Sequence, residues 1–136
     1  MKKLLFFSFS LIYICFLIVA SLATHAQQLS PKMYLALRDS TDGVDVVFLQ
    51  GKGGSMNVEG PNTRFFNSFI DYDAASKPNT QQAASVMWVK QGREFISGSL
   101  YLGDSTGCVI FQKDGKEYYH RLNNGGNNFI KQAIKQ

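Results

Sequence analysis

Beyond residue 26 the chain holds one cysteine and one histidine, Cys108 and His120, so any thiol–imidazole chemistry must use that pair. A cysteine nucleophile needs a base within hydrogen-bond reach to form thiolate near neutral pH. Both residues fall in "CVIFQKDGKEYYHRL" (108–122), which reads as a β-hairpin around Asp114-Gly115. With a two-residue turn, Val109 pairs with His120, and Cys108 faces Arg121 on the other side of the sheet from the imidazole. With a three-residue loop, Lys113 to Gly115, Cys108 lies directly opposite His120. Asp-Gly suits either loop, and neither register supplies an evident third, orienting group. The expectation is a buried Cys in an apolar strand, an ordinary strand His and no catalytic residue. A small thiol enzyme built on the pair stands third among the functional readings. In the first register Arg121 could lower the thiol pKa, although covering a sheet edge is its simpler role.

Other groupings offer less. Asp39, Asp42 and Asp45 bracket Gly43, but Arg38 and Ser40 stand where a calcium loop needs acidic groups and Leu49 where it needs a Glu, so Asp42-Gly43 reads as a plain turn. Asp71 and Asp73 alternate along a strand and read as a solvated strand end. "GDSTG" (103–107) lacks the Gly-x-Ser-x-Gly elbow, and "GKGG" (51–54) lacks the ending of a phosphate loop. One His with no Cys pair gives no zinc pattern. No metal and no cofactor is expected.

Aromatic side chains are the stronger signal. Residues 27–136 carry seven Phe, five Tyr and Trp88. Trp88, Tyr101, Tyr34, Tyr118 and Tyr119 sit on expected strands and are the candidate ligand-binding residues. Rings supply apolar area while their polar ends hydrogen-bond, which suits a glycan or a small amphiphile. The same rings also serve as core and as cross-strand pairs.

The elements that would position them are short and separated by regular turn signals, the mark of a sandwich or barrel. Strands are expected at 33–38, 44–50, 55–58, 63–72, 85–90, 93–102, 108–113 and 116–122. The stretch 63–72 also places Phe65, Phe66, Phe69 and Ile70 at helical spacing, against the strand preference of its Thr, Phe, Ile and Tyr. "DAASKPNTQQAA" (73–84) is long for a connection in so small a domain and reads as a functional or mobile loop. "NNGGNN" (123–128) reads as a breaker. Phe129, Ile130, Ala133 and Ile134 then give a short terminal helix with Asn128 as its N-cap. "GSMNV" (54–58) and "GSLYL" (98–102) echo one another too briefly to indicate duplication.

The N-terminal 26 residues are of another kind. Lys2-Lys3 precede an uncharged apolar run from Leu4 to Ala23, and "THAQQ" (24–28) ends it with small residues at Thr24 and Ala26. That is the pattern of a secretory signal peptide cut after Ala26. A retained transmembrane helix competes, since the run nears the roughly 20 residues a bilayer needs. Cys15 follows Tyr13-Ile14 rather than a small residue, which argues against lipid anchoring. The leader suggests a bacterium, and a periplasmic or extracellular protein.

Removal of Lys2 and Lys3 leaves 12 basic against 10 acidic residues, a net charge of +2 in place of +4. No dense Lys/Arg stripe exists, which excludes a nucleic-acid binder. A lone Cys cannot form an internal disulfide, so the core alone or association must hold the fold.

The sequence thus predicts one all-β domain over 27–136, a compact antiparallel sandwich or barrel of about seven to eight strands with a short C-terminal helix. Its expected function is that of an exported, non-catalytic binding module for a small molecule, glycan or envelope protein. The site would be an aromatic sheet face near Trp88 and Tyr101, a barrel interior or the 73–84 loop. The alternative is an assembly subunit working through an open sheet edge, with the mixed apolar faces at 85–90 meeting the partner.

Overall fold

A computed structural model describes residues 27–136, and the leader with its expected cut after Ala26 lies outside the described residues. The protein is mostly β. Among the described residues, one open sheet of six antiparallel strands is accompanied by three short helices. In chain order these are α1 (Pro31–Ser40), β1 (Gly43–Phe48), β2 (Gly54–Glu59) and α2 (Pro61–Asn67), followed by β3 (Gln82–Lys90), β4 (Arg93–Tyr101), β5 (Gly107–Lys113), β6 (Lys116–Leu122) and α3 (Asn124–Lys135). The strand order is β2-β1-β3-β4-β5-β6, so β3 to β6 form a meander and the β1–β2 hairpin joins at β3.

Four expectations require correction. The strand at 33–38 is helical, because Ser30 caps the first turn by accepting the Met33 N–H on Oγ, at 3.2 Å, and Pro31 takes the first helical position. The stretch 63–72 begins as α2, again behind a proline, Pro61, and its one strand-like pairing with the sheet among the described residues is the isolated bridge between Ile70 and Leu122. Its helical spacing prevails over its strand propensity because Phe66, Phe69 and Ile70 then reach the core together. "NNGGNN" is not a breaker: Asn123 caps α3 through Oδ1 and the Gly126 N–H (3.0 Å), so the helix starts before Asn128. With two expected strands turned into helices, six remain, and the sheet neither closes into a barrel nor packs on a second sheet.

Local turn chemistry sets the hairpins as read. Gln91-Gly92 and Asp114-Gly115 both hold positive φ at their two central residues (52° and 70°, 52° and 74°), the mirror-image turn whose twist matches two antiparallel strands.

Side-chain alternation gives the sheet two unlike faces. Val44, Val46, Ala84, Val86, Trp88, Ile96, Leu100, Val109, Phe111 and Leu122 form a buried face. Leu37 of α1, Phe66 of α2 and Ile130 of α3 close over it. At its centre Trp88, 0% exposed, packs against Phe111 with ring centroids 5.0 Å apart. Gly98 stands beside the indole on β4, where an added Cβ would come within 3.3 Å of Trp88 and 2.9 Å of the Ile110 carbonyl. Near the sheet's far end Gly126 lets α3 lie on Phe69 and Leu122, whose atoms an added Cβ would meet at 2.6 and 2.8 Å.

Asn67 joins the layers. It is buried; its Oδ1 accepts the Trp88 Nε1–H (2.8 Å), and its Nδ2 donates to the Leu37 carbonyl and to Thr41 Oγ1, each at 2.9 Å. One amide thereby ties the end of α1 and the end of α2 to the central strand. Truncation strands the indole N–H in the core, at about 1–3 kcal/mol, while the Leu37 carbonyl keeps the Thr41 hydroxyl as a donor at 2.6 Å. Asn67→Ala is expected to lower unfolding free energy by about 1–3 kcal/mol in urea titrations, while Asn62→Ala on the exposed side of α2 changes it by less than about 0.5 kcal/mol.

Candidate functional site

The β5–β6 register decides the fate of the thiol–imidazole pair. Val109 pairs with His120 and Cys108 with Arg121, as the two-residue turn requires. Cys108 and His120 therefore project from opposite faces of the sheet and cannot exchange a proton directly. Each is occupied where it lies. Cys108 is fully buried beneath the Ala75 carbonyl, 3.9 Å from Sγ, and that burial pushes its thiol up to about 11, with Lys77 opposing weakly. Arg121, its cross-strand partner, holds two carboxylates, Asp71 at 2.9 Å and Asp73 at 2.7 Å.

His120 is a clip. Its Nε2 accepts the Leu29 backbone N–H (2.9 Å), so the proton sits on Nδ1, which donates to the Asp71 carbonyl (3.0 Å). Tyr34 stacks on the ring at 5.7 Å, and the Tyr34 hydroxyl donates to the Ile70 carbonyl. Phe111 and Tyr72 close the remaining sides. Burial holds the imidazole pKa below its ordinary value, against the pull of backbone hydrogen bonds at Asp71 and Tyr72.

The five aromatic candidates do not share one face. Trp88 and Tyr118 lie on the helix-covered face, with Trp88 wholly enclosed. Tyr34 belongs to α1 and packs at His120. Tyr101 and Tyr119 lie on the opposite, open face, Tyr101 beneath the Lys77 ammonium at 4.7 Å and Tyr119 donating to Glu117. Of the expected 73–84 loop, residues 82–84 belong to β3, and the rest is strapped to the sheet through Asp73 and β6, the Ala75 contact and the Thr80 hydroxyl on the Leu102 carbonyl (3.0 Å). The 85–90 segment belongs to β3, between β1 and β4, so its two apolar faces suit an interior strand rather than a free one.

The two rims of the sheet are treated differently by the chain. Along β6, the Tyr119 N–H donates to the Gln27 carbonyl (2.7 Å), and the Arg121 N–H donates to Asp73 (2.9 Å) while its carbonyl accepts from Asp71 (2.9 Å). Along β2, nothing among the described residues pairs with the outer rim. The Gly60 N–H donates inward to the Asp42 carbonyl, and by antiparallel alternation Val58 and Met56 also bond inward. The backbone N–H and C=O groups of Ser55, Asn57 and Glu59 are left facing outward. This strand carries neither Lys nor Pro, two residues that usually blunt an edge.

Beside that rim lies a cleft of about 300 Å³. It is lined by Met56, Asn57, Val58 and Glu59 along the β2 rim, by Asn62, Phe65 and Phe66 of α2 and by Phe129 of α3. Phe65 is 60% exposed and stands edge-on to Phe69 at 4.9 Å. A single exposed Phe is ordinary. A Phe on the wall of an apolar cleft next to an unpaired strand makes a surface suited to an extended chain with apolar side chains.

No family model, characterised protein or solved structure shows significant similarity to this chain. The site therefore rests on its own geometry. Among the described residues, no helix is long and apolar enough to cross a membrane.

Sequence reasoning missed this cleft, although one signal pointed toward it: the helical spacing of Phe65, Phe66 and Phe69.

His120 gives a signed pH dependence. Its pKa is depressed in the folded chain, so the neutral-ring contribution to stability is full above the ordinary value near 6.5 and is lost as pH falls through and below it. Denaturation midpoints are expected to drop between about pH 7.5 and 5.5, and His120→Gln to flatten that drop. Alkylation of native Cys108 at neutral pH is expected to run at least about tenfold slower than for a free thiol.

Proposed function

We propose that this protein is an exported, non-catalytic binding module that takes an extended segment of a partner protein along β2, with apolar side chains seated in the adjoining cleft. The observation that carries this reading is the conjunction of an unpaired β2 rim with the Phe65–Phe66–Phe129 cleft. Backbone pairing supplies affinity in such a mode, and pockets for alternate side chains supply selectivity. The separation of Cys108 from His120 supports a non-catalytic role, and the pattern of residues 1–26 supports export to the periplasm or the medium.

A glycan or small amphiphile on the open face is the second reading. It is favoured by Tyr101 with the Lys77 ammonium above its ring. The rings available there are fewer than at the β2 cleft, and the strap of residues 73–80 occupies part of that face.

Selection of decapeptides displayed on phage, followed by amide-shift mapping of the selected sequences, separates the two. Binders are expected to perturb Gly54–Glu59 and the Phe65 ring. Asn57→Pro removes an outward N–H while leaving the inward ladder to β1 intact, and it is expected to weaken binding at least about tenfold with little change in thermal midpoint. Phe65→Ser is expected to act similarly. Shifts confined to Tyr101 and Tyr119 would instead establish the open face.

A further inference from the structure

The two sides of β2 differ in chemistry, and that difference describes the chain that fits beside it. Met56 and Val58 point to the helix side, into the apolar cleft. Ser55, Asn57 and Glu59 point to the open face. There Asn57 lies opposite Asp45 of β1 and donates to its Oδ1 at 2.6 Å. The second oxygen of Asp45 is uncommitted among the described residues, and neither Asp45 nor Glu59 joins an ion pair there. Arg64, the nearest cation on α2, borders a different hollow with Arg38 and Asp39 at the end of α1. Lys52 lies in the turn before Gly54, at the far end of the strand from Glu59. The open-face side of the rim is thus acidic at its Asn57–Glu59 end.

A strand added to β2 presents side chains to each side in turn. A residue opposite Asn57 would lie on the open face with Asp45 one strand further in and Glu59 on the diagonal, within reach of a long cationic side chain. Its two neighbours in the added strand would drop toward Met56, Val58 and Phe65.

Resting on the β2 reading above, we propose that the partner segment alternates apolar and basic residues, with a Lys or Arg opposite Asn57 flanked by large apolar residues. Charge opposite Asp45 and Glu59 sets the preference, and the cleft sets the apolar positions.

The test uses the protein with three end-capped peptides of one length: alternating Leu-Lys, alternating Leu-Glu and alternating Ser-Lys. Binding is read by fluorescence anisotropy and placed by amide shifts. Leu-Lys is expected to bind with shifts at Gly54–Glu59, at least about tenfold tighter than Leu-Glu. Ser-Lys is expected to bind weakly or not at all. In the isosteric double variant Asp45→Asn with Glu59→Gln, the Leu-Lys advantage is expected to fall at least about fivefold, and it is also expected to shrink with added salt.

Equal binding of Leu-Lys and Leu-Glu at β2 would overturn the basic preference and leave the β2 site standing. Shifts that avoid β2 for every peptide would overturn both. A dimer in sedimentation at the working concentration, with β2 amides protected, would make a second copy the occupant and overturn the proposed partner chemistry.

Discussion

A buried side-chain amide holds this architecture in register. Asn67, the last residue of α2, stands where α1 ends and where the indole of the central strand needs an acceptor, and its hydrogen bonds reach both at 2.8–2.9 Å. A tryptophan fully enclosed in a small core is strongly favourable by apolar area. Its N–H is costly unless a partner reaches it. Asn67 reaches it only if α2 lies over β3, and α2 lies there only if Pro61 starts it and Phe66 and Ile70 anchor it. Placing the helix layer over one face of the sheet thus follows from satisfying one polar atom inside the core. His120 repeats the device near the rim, where a neutral imidazole joins residue 29 to residue 71 across β6.

The two polar devices also account for the asymmetry of the sheet. Residues 27–29 and 71–73 are drawn to β6 by His120 and by the Arg121 carboxylate pair, and in settling there they complete that rim. No equivalent segment among the described residues is drawn to β2. Its neighbours are a short helix and the end of α3, and these pack on one side of the strand rather than along it. The cleft forms because Phe65 projects beside Phe66, which occupies the core, and Phe129 approaches from α3 without filling the gap. The proposed recognition of an extended partner uses what this packing leaves over.

Chemistry at Cys108 and His120 turns on a single residue of register. With a side-chain period of two, a hairpin one residue longer in its loop would have set thiol and imidazole face to face. Asp114-Gly115 adopts the two-residue turn, and the pair is divided by the sheet. The thiol then lies beneath the strap of residues 73–80, and the imidazole serves as a backbone acceptor. Arg121, which this register places next to Cys108, finds stronger partners in Asp71 and Asp73.

The hairpins at 91–92 and 114–115, the strands on either side of them, a mostly β content and a terminal helix were all legible in the residues. Each depends on local chemistry: turn residues that tolerate positive φ, alternation over six to nine positions, and the 3.6-residue spacing of Phe129, Ile130 and Ala133. Prolines at 31 and 61 were equally legible as helix starts, yet alternation at 33–37 and aromatic strand propensity at 65–72 argued the other way. Only packing arbitrated, by burying Leu37 and Phe66 together over Trp88. The candidate site was out of reach for the same reason. Whether Trp88 or Phe65 is the exposed ring, and whether β2 or β6 is the open rim, depends on contacts between residues 20 to 90 positions apart. Sequence by itself determined the local elements, because their energies lie within a few neighbouring residues. Tertiary structure decided which faces meet, because apolar area and buried polar atoms are satisfied by partners that local spacing does not name.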